Sequence, residues 1–170
     1  MENTLKDVID IQDGIGPNGL VIIKDKDGNI LVRKHNMVVS SGKKWVFERC
    51  NWKGTEGLPS MFYRIVFGSS QSETTYDYTT LDKANNDKDS TEYQYEVDSD
   101  NLQEFPDATH PYYLFSLTGI KCDPSKADFL SCLSITYKEG ETEKLFSRIR
   151  FDKIPMVEGN ELSLNYYIYF

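Results

Sequence analysis

Alternating apolar and polar side chains dominate this chain and predict β-strands. Along residues 162–170 the apolar side chains share one face, while Ser163, Asn165, Tyr167 and Tyr169 occupy the other. Similar alternation or short β-branched runs predict strands at six other places, namely residues 20–24, 30–34, 61–67, 112–121, 129–137 and 145–151. A chain that stops on an apolar residue of such a strand predicts that this terminal strand is tied down on both sides.

The clearest local prediction is a hairpin between the first two strands. Residues 25–29 read Asp-Lys-Asp-Gly-Asn, and Asp-Gly is the turn chemistry that a tight hairpin requires. Asp25, Asp27 and Gly28 also resemble part of a calcium loop, but the remaining ligands and the closing Glu are missing. A turn is therefore predicted here, and not a metal site.

One substantial helix is predicted to begin near Ser41. Serines precede Trp45, Phe47 and Cys50, which recur at near-helical spacing. About eight short strands, one helix and no alternation of strand with helix predict a mainly β fold, either an antiparallel β-sandwich or a flattened barrel.

The sequence divides into an arm and one domain. Residues 1–19 end in a Gly- and Pro-rich cluster and predict an extended N-terminal arm, which is either a frayed terminus or a segment that lies on a neighbouring subunit through Leu5, Val8, Ile9 and Ile11. Residues 20–170 predict a single β-sandwich domain with an acidic loop insertion around 71–107, in which residues 92–97 could pair as a strand.

Composition narrows the classes of partner. The 170 residues carry a formal net charge of −8, which disfavours direct, sequence-specific nucleic-acid binding. No apolar run is long enough to span a bilayer, so no membrane partner is expected and the chain is expected to be made in the cytoplasm. Cys50, Cys122 and Cys132 form neither a complete disulfide framework nor a zinc pattern.

The candidate chemistry is sparse. His35 follows a hairpin strand and His110 precedes a proline, and neither belongs to a catalytic motif. The acidic residues cluster in loops, where solvated charge is the better interpretation than a paired-carboxylate site. We therefore expect no enzyme activity and no cofactor or metal. The main alternative is a carbohydrate-binding platform built from tyrosines, namely Tyr63, Tyr76, Tyr78, Tyr93, Tyr95, Tyr112 and Tyr113.

Five short sequence motifs along the chain resemble those of one protein family. They are the Asp-Gly hairpin, the Asn-Met-Val-Val run at residues 36–39, the helix start at Gly42, the Arg-Ile-Val-Phe-Gly-Ser run at 64–69, and the closing runs 145–151 and 165–170. In this order they resemble the small structural proteins of tailed bacteriophages. Ser69 and Ser70 stand where that family usually has a second glycine, and the acidic stretch at 80–107 is longer than usual.

The resemblance implies a virion subunit of the tail, the neck ring or the head-tail connection, assembled in the cytoplasm of a host bacterium. It implies a cyclic homo-oligomer in contact with portal, tail or neck subunits. It implies no catalytic residues. A ring subunit works through its interfaces. The expected interface residues lie in the arm (Leu5, Val8, Ile9, Ile11) and on the terminal strand (Tyr167, Tyr169), which could add to a neighbour's sheet. A carbohydrate-binding β-sandwich of a fibre or receptor-binding device remains the alternative.

Overall fold

The computed structural model describes residues 18–50, 62–69, 93–109 and 111–169, which form nine strands and one helix. The strands are β1 (Asn18–Asp25), β2 (Ile30–Val38), β3 (Phe62–Gly68), β4 (Gln94–Glu96), β5 (Leu102–Phe105), β6 (Tyr112–Lys121), β7 (Phe129–Glu139), β8 (Thr142–Pro155) and β9 (Glu161–Tyr169), and the helix is α1 (Ser40–Cys50). The described helix is too short and too polar to cross a membrane.

The described strands form two antiparallel sheets that share β2. Their hydrogen-bonded order is β4-β3-β7-β8-β2-β1-β9-β6-β5. Sheet one contains β1, β9, β6, β5 and most of β2, whereas sheet two contains β4, β3, β7 and β8. The last residues of β2, Met37 and Val38, pair with Arg148 and Ser147 of β8, so β2 passes from one sheet to the other. The first and last strands of this order, β4 and β5, do not pair with each other. The structure therefore confirms the predicted sandwich and is not a closed barrel.

Aromatic rings fill the space between the two sheets. Phe62 of sheet two lies 4.9 Å from Phe115 and 5.5 Å from Tyr113 of sheet one, between ring centroids and at steep interplanar angles. The hydroxyls of Ser147 and Tyr166 share a buried hydrogen bond of 2.5 Å across the same space. Edge-to-face packing of this kind adds stabilisation to the burial of apolar area.

Helix α1 lies against sheet two at the end where Phe62 begins β3. The indole of Trp45 is buried and packs 4.7 Å from the Phe62 ring and 5.5 Å from the Phe146 ring. Phe146 is the extra residue of a β-bulge in β8, and its carbonyl accepts the N–H of Val39 at 3.1 Å. A Cβ at Gly42 would collide with this carbonyl oxygen, which gives the glycine of the family-like motif a packing role.

The local sequence predictions with the strongest signals are confirmed. The hairpin forms, and the carboxylate of Asp25 accepts the N–H groups of Asp27 and Asn29, each at 2.9 Å. The helix starts at Ser40, and on β9 the predicted inner residues Leu162, Leu164, Tyr166 and Ile168 are all buried.

Two details differ from expectation. The region assigned to a loop insertion around 71–107 contains β4, as residues 92–97 suggested, but also β5, which was not predicted. Strand β8 continues through Ile154 and Pro155, which pair with Leu130 and Phe129, beyond the predicted strand at residues 145–151. Proline is tolerated because β2 pairs with β8 only at residues 147 and 148, so the other side of Pro155 has no strand partner among the described residues.

Candidate functional site

The outward side of sheet one carries aromatic and aliphatic side chains. We call this surface the tyrosine face, and its half-buried members are Phe105, Tyr112, Leu114, Tyr167 and Tyr169, whereas Leu20 and Ile22 on the same side of β1 are buried. Strand alternation explains the grouping, because Val21, Phe115, Tyr166 and Ile168 point into the core and their chain neighbours must point outward.

Cross-strand pairing brings these side chains together from four strands. Asn18, Tyr169, Tyr112 and Phe105 form one row of paired residues across the sheet. The next row contains Leu20, Tyr167 and Leu114. Residues far apart in the sequence are thereby placed side by side on one rigid surface.

The rings of the tyrosine face pack on one another. Phe105 stacks on Tyr112 with centroids 4.5 Å apart and an interplanar angle of 15°. Tyr112 lies 5.9 Å from Tyr167 and 5.5 Å from Tyr169. The rings of Tyr167 and Tyr169 are nearly parallel, at 10° and 6.2 Å. Such a cluster fixes its own side chains and loses little conformational entropy on binding.

Burial raises the pKa of two hydroxyls on this surface, which are neutral at physiological pH in any case. Desolvation, followed by the neighbouring phenol of Tyr112, raises the pKa of Tyr167, and desolvation also raises the pKa of Tyr169. Both groups stay protonated at physiological pH, so each offers one donor and one acceptor at the rim of an apolar patch.

Basic side chains border the tyrosine face along β1 and β2. His35 pairs with Leu20 and Arg33 with Ile22, and both of these polar side chains are exposed. Lys24 lies further along β1, opposite Ser163. Since the chain as a whole is acidic, this basic border is a local exception that favours an acidic, partly apolar partner.

The predicted interface residues have different outcomes. Tyr167 and Tyr169 lie on the outward side of β9, and the structure brings them together with Tyr112 and Phe105. Leu5, Val8, Ile9 and Ile11 lie outside the described residues, so their role stays a prediction.

The expected strand addition through β9 is wrong. Strand β9 is hydrogen-bonded to β1 on one side and to β6 on the other, so it has no open edge to offer a neighbour. A contact through this strand must use its outward face. The ends of the described sheet order are β4 and β5, which are short and carry charged or polar residues.

The tyrosines proposed as a sugar platform do not form one surface. Tyr93 and Tyr113 pack toward the core, and Tyr63 lies on β3 near Lys138. Tyr112 alone of the described members lies on the tyrosine face, and Tyr76 and Tyr78 lie outside the described residues. Sequence reasoning missed Phe105 because it lies in the acidic stretch, although aromatic residues at the outward positions of β6 and β9 were a usable signal.

The remaining polar groups have structural roles. Asp25 is engaged by its own turn, and its pKa is lowered chiefly by the hydrogen bond from the Asn29 side chain. Arg64 forms a partly buried ion pair with Glu143, which raises the pKa of Arg64. Cys122 and Cys132 are buried, and burial raises the pKa of the Cys122 thiol, which lowers its reactivity. Within the described ranges, no cluster of three or more His, Cys, Asp or Glu side chains could hold a metal ion.

Comparison with known proteins gives no relative. No protein family, no curated protein and no solved structure matches this chain.

Proposed function

We propose that this chain is a structural subunit of a tailed-phage particle, forming a ring in the tail or head-tail connection through contacts between subunits. The observation that carries the proposal is the tyrosine face, a rigid apolar surface on the outside of a sandwich. The outward side of an antiparallel sheet is normally polar, and an apolar patch there marks an interaction site.

The family resemblance supports the phage part of the proposal. Its motifs coincide with structural positions, since Gly42 allows α1 to approach the Phe146 carbonyl and the Asp-Gly pair forms the β1–β2 turn. The proposed partners are further copies of this chain together with portal, tail or neck subunits, and the proposed location is the virion.

A carbohydrate-binding role is the second candidate, because the parallel rings of Tyr167 and Tyr169 could stack on sugars. The packing within the cluster favours a protein partner. Sugar stacking needs an open ring face, whereas Phe105 and Tyr112 each cover a face of the other. Tyrosine-rich patches of this kind are typical of the centres of protein interfaces.

The test combines native mass spectrometry and negative-stain electron microscopy of the purified full chain with a glycan array. Discrete high-order oligomers and ring-shaped particles are the expected result. A protein that stays monomeric up to high concentration and binds glycans would replace the ring proposal with the carbohydrate-binding one.

A further inference from the structure

The tyrosine face lies beside the point where the described chain begins. Asn18, the first residue of β1, pairs with Tyr169, and the same row continues to Tyr112 and Phe105. A segment that precedes Asn18 therefore starts at one end of this surface, and in a side-by-side assembly it starts close to the same surface of a neighbour.

The sequence before Asn18 has the composition that this surface fits. Residues 1–17 include the aliphatic Leu5, Val8, Ile9 and Ile11. The same segment contains four carboxylates (Glu2, Asp7, Asp10, Asp13) and one lysine, Lys6. The border of the tyrosine face along β1 and β2 carries Lys24, Arg33 and His35, whereas Glu161 at the far end of β9 and Glu104 and Asp107 beside Phe105 are acidic. The segment and the tyrosine face thus both carry apolar side chains, and the charge of the segment is opposite to that of the border along β1 and β2.

The lengths are also compatible. At about 3.3 Å per residue, 13 extended residues reach about 43 Å, whereas an eight-residue strand such as β1 spans about 26 Å. Gly14, Gly16 and Pro17 stand between the apolar part of the segment and β1. Glycine and proline at these positions suit a change of chain direction before the segment meets a surface.

We propose that the tyrosine face receives residues 1–13 of a neighbouring copy of this chain. This inference rests on the proposed ring function and names its receiving surface. The aliphatic side chains of the arm pack between the half-buried Tyr112, Leu114 and Tyr167, and its carboxylates lie toward Arg33 and His35. Side-chain packing on a prearranged ring cluster offsets the ordering cost of the arm, about 1 to 2 kcal/mol per residue for the backbone.

Photo-crosslinking identifies the occupant. The full chain with p-benzoylphenylalanine in place of Ile9 is mixed in equal amounts from ¹⁴N and ¹⁵N cultures, assembled and irradiated. Crosslinks to peptides that contain Tyr112 or Tyr167 are expected, with about half of them joining light and heavy chains. If the crosslinks to these peptides join only light to light or heavy to heavy chains, each chain binds its own arm. If the crosslinks form with other peptides, the arm binds a different surface. Either result overturns the inference.

Matched variants test both sides of the contact. The double variant Tyr167→Ser/Tyr169→Ser and the arm variant Ile9→Asp should each weaken assembly by at least about tenfold, as loss of central interface side chains does. Combining them should add little, because both remove the same contact. Tyr63→Ser, which removes a half-buried tyrosine from sheet two, is the control and should assemble normally.

The two proposals fail in different ways. If the unmodified protein forms no oligomer, the proposed function fails. If it assembles and the face variants and Ile9→Asp assemble equally well, the ring stands and the receiving surface is wrong. Ile9→Asp keeps the test valid even if the double variant folds poorly, because residue 9 precedes the first described strand in the sequence.

Discussion

The outward sides of the two sheets differ in a way that separates stability from binding. Along β6 and β9 of sheet one the outward side is aromatic and only half-buried, as at Tyr112, Tyr167 and Tyr169, although Leu20 and Ile22 on the same side of β1 are buried. On sheet two the outward side is largely polar, and yet it is buried: Ser134 and Arg148 are each 1% exposed. Strands β7 and β8 are therefore buried on both their inward and outward sides along most of their length, whereas β6 and β9 are fully buried only on the inward side.

This difference shows that the polarity of a strand's side chains does not determine whether they are exposed to solvent. A half-exposed apolar surface can bind a partner without disturbing the core, whereas a buried polar surface must keep its hydrogen bonds for the protein to fold. Substitutions on sheet one should change association, and substitutions on sheet two should change the free energy of unfolding.

The largest expected difference in stability is between substitutions of two outward-facing arginines, one on each sheet. Arg148→Ala on β8 should lower the free energy of unfolding by about 2 to 5 kcal/mol, because it leaves a cavity in place of a large side chain that is 1% exposed. Arg33→Ala on β2, where the side chain is exposed, should cost less than about 0.5 kcal/mol. Urea denaturation of both variants measures the difference. Equal and small losses would show that the outward side of sheet two contributes no more to stability than that of sheet one.

The next effect concerns the helix that lies on sheet two. Gly42→Ala places a methyl group against the Phe146 carbonyl and should cost about 1 to 3 kcal/mol, because neither the helix nor the bulge can move freely. Gly140→Ala is the matched control, since its site is open and only its positive φ of 61° opposes a side chain, at a cost of about 1 kcal/mol. Thermal melts of the two variants, monitored by the near-ultraviolet circular dichroism of the aromatic side chains, measure the difference in stability. A Gly42→Ala variant as stable as the unmodified protein would contradict the close packing.

The sequence predicted what local chemistry determines. The β1–β2 turn follows from Asp-Gly, and the inner face of β9 follows from strict alternation, since each depends on adjacent residues alone. Strand β5 was missed because Gln103 and Glu104 at a sheet edge resemble a loop, and charged residues are what sheet edges carry.

The outward surfaces could not be predicted because they depend on pairing between distant strands. Alternation indicated that Tyr167 and Tyr169 face away from the core, but not that Phe105 and Tyr112 would lie beside them. In β8, Arg148 and Arg150 alternate with Ile149 and Phe151, which is the pattern of a strand with one solvated side, yet Arg148 is buried. Burial of a polar residue is set by the tertiary structure around it, and no pattern along a single strand indicates it.

A smaller effect separates the two sides of β9 at alkaline pH. Burial raises the pKa of Tyr166, so the folded state keeps a proton that the unfolded chain loses above about pH 10. Stability from this group is therefore complete below pH 10 and falls above it, by about 1.4 kcal/mol per pH unit. Tyr166→Phe should remove this slope, although it also leaves the Ser147 hydroxyl without its partner and so lowers stability at neutral pH. Tyr167→Phe should change the slope less, because its ring is half-exposed. Urea titrations between pH 8 and 11 measure both, and equal slopes in the two variants would contradict the difference in burial.

The smallest effect distinguishes two buried serines, one on each side of sheet two. The Ser134 hydroxyl points outward and makes no hydrogen bond within the described part of the molecule, so its burial carries an uncompensated desolvation cost. Ser134→Ala removes that group, leaves almost the same volume and should be neutral or stabilising by up to about 1 kcal/mol. Ser147→Ala, on the inner side, should instead cost about 1 to 2 kcal/mol, because it leaves the Tyr166 hydroxyl buried without its partner. Chemical denaturation resolves opposite signs more easily than small magnitudes. A loss of more than about 1 kcal/mol in Ser134→Ala would mean that an ordered water or a residue outside the described ranges bonds this hydroxyl, and that the outward side of sheet two is as fully hydrogen-bonded as the inner one.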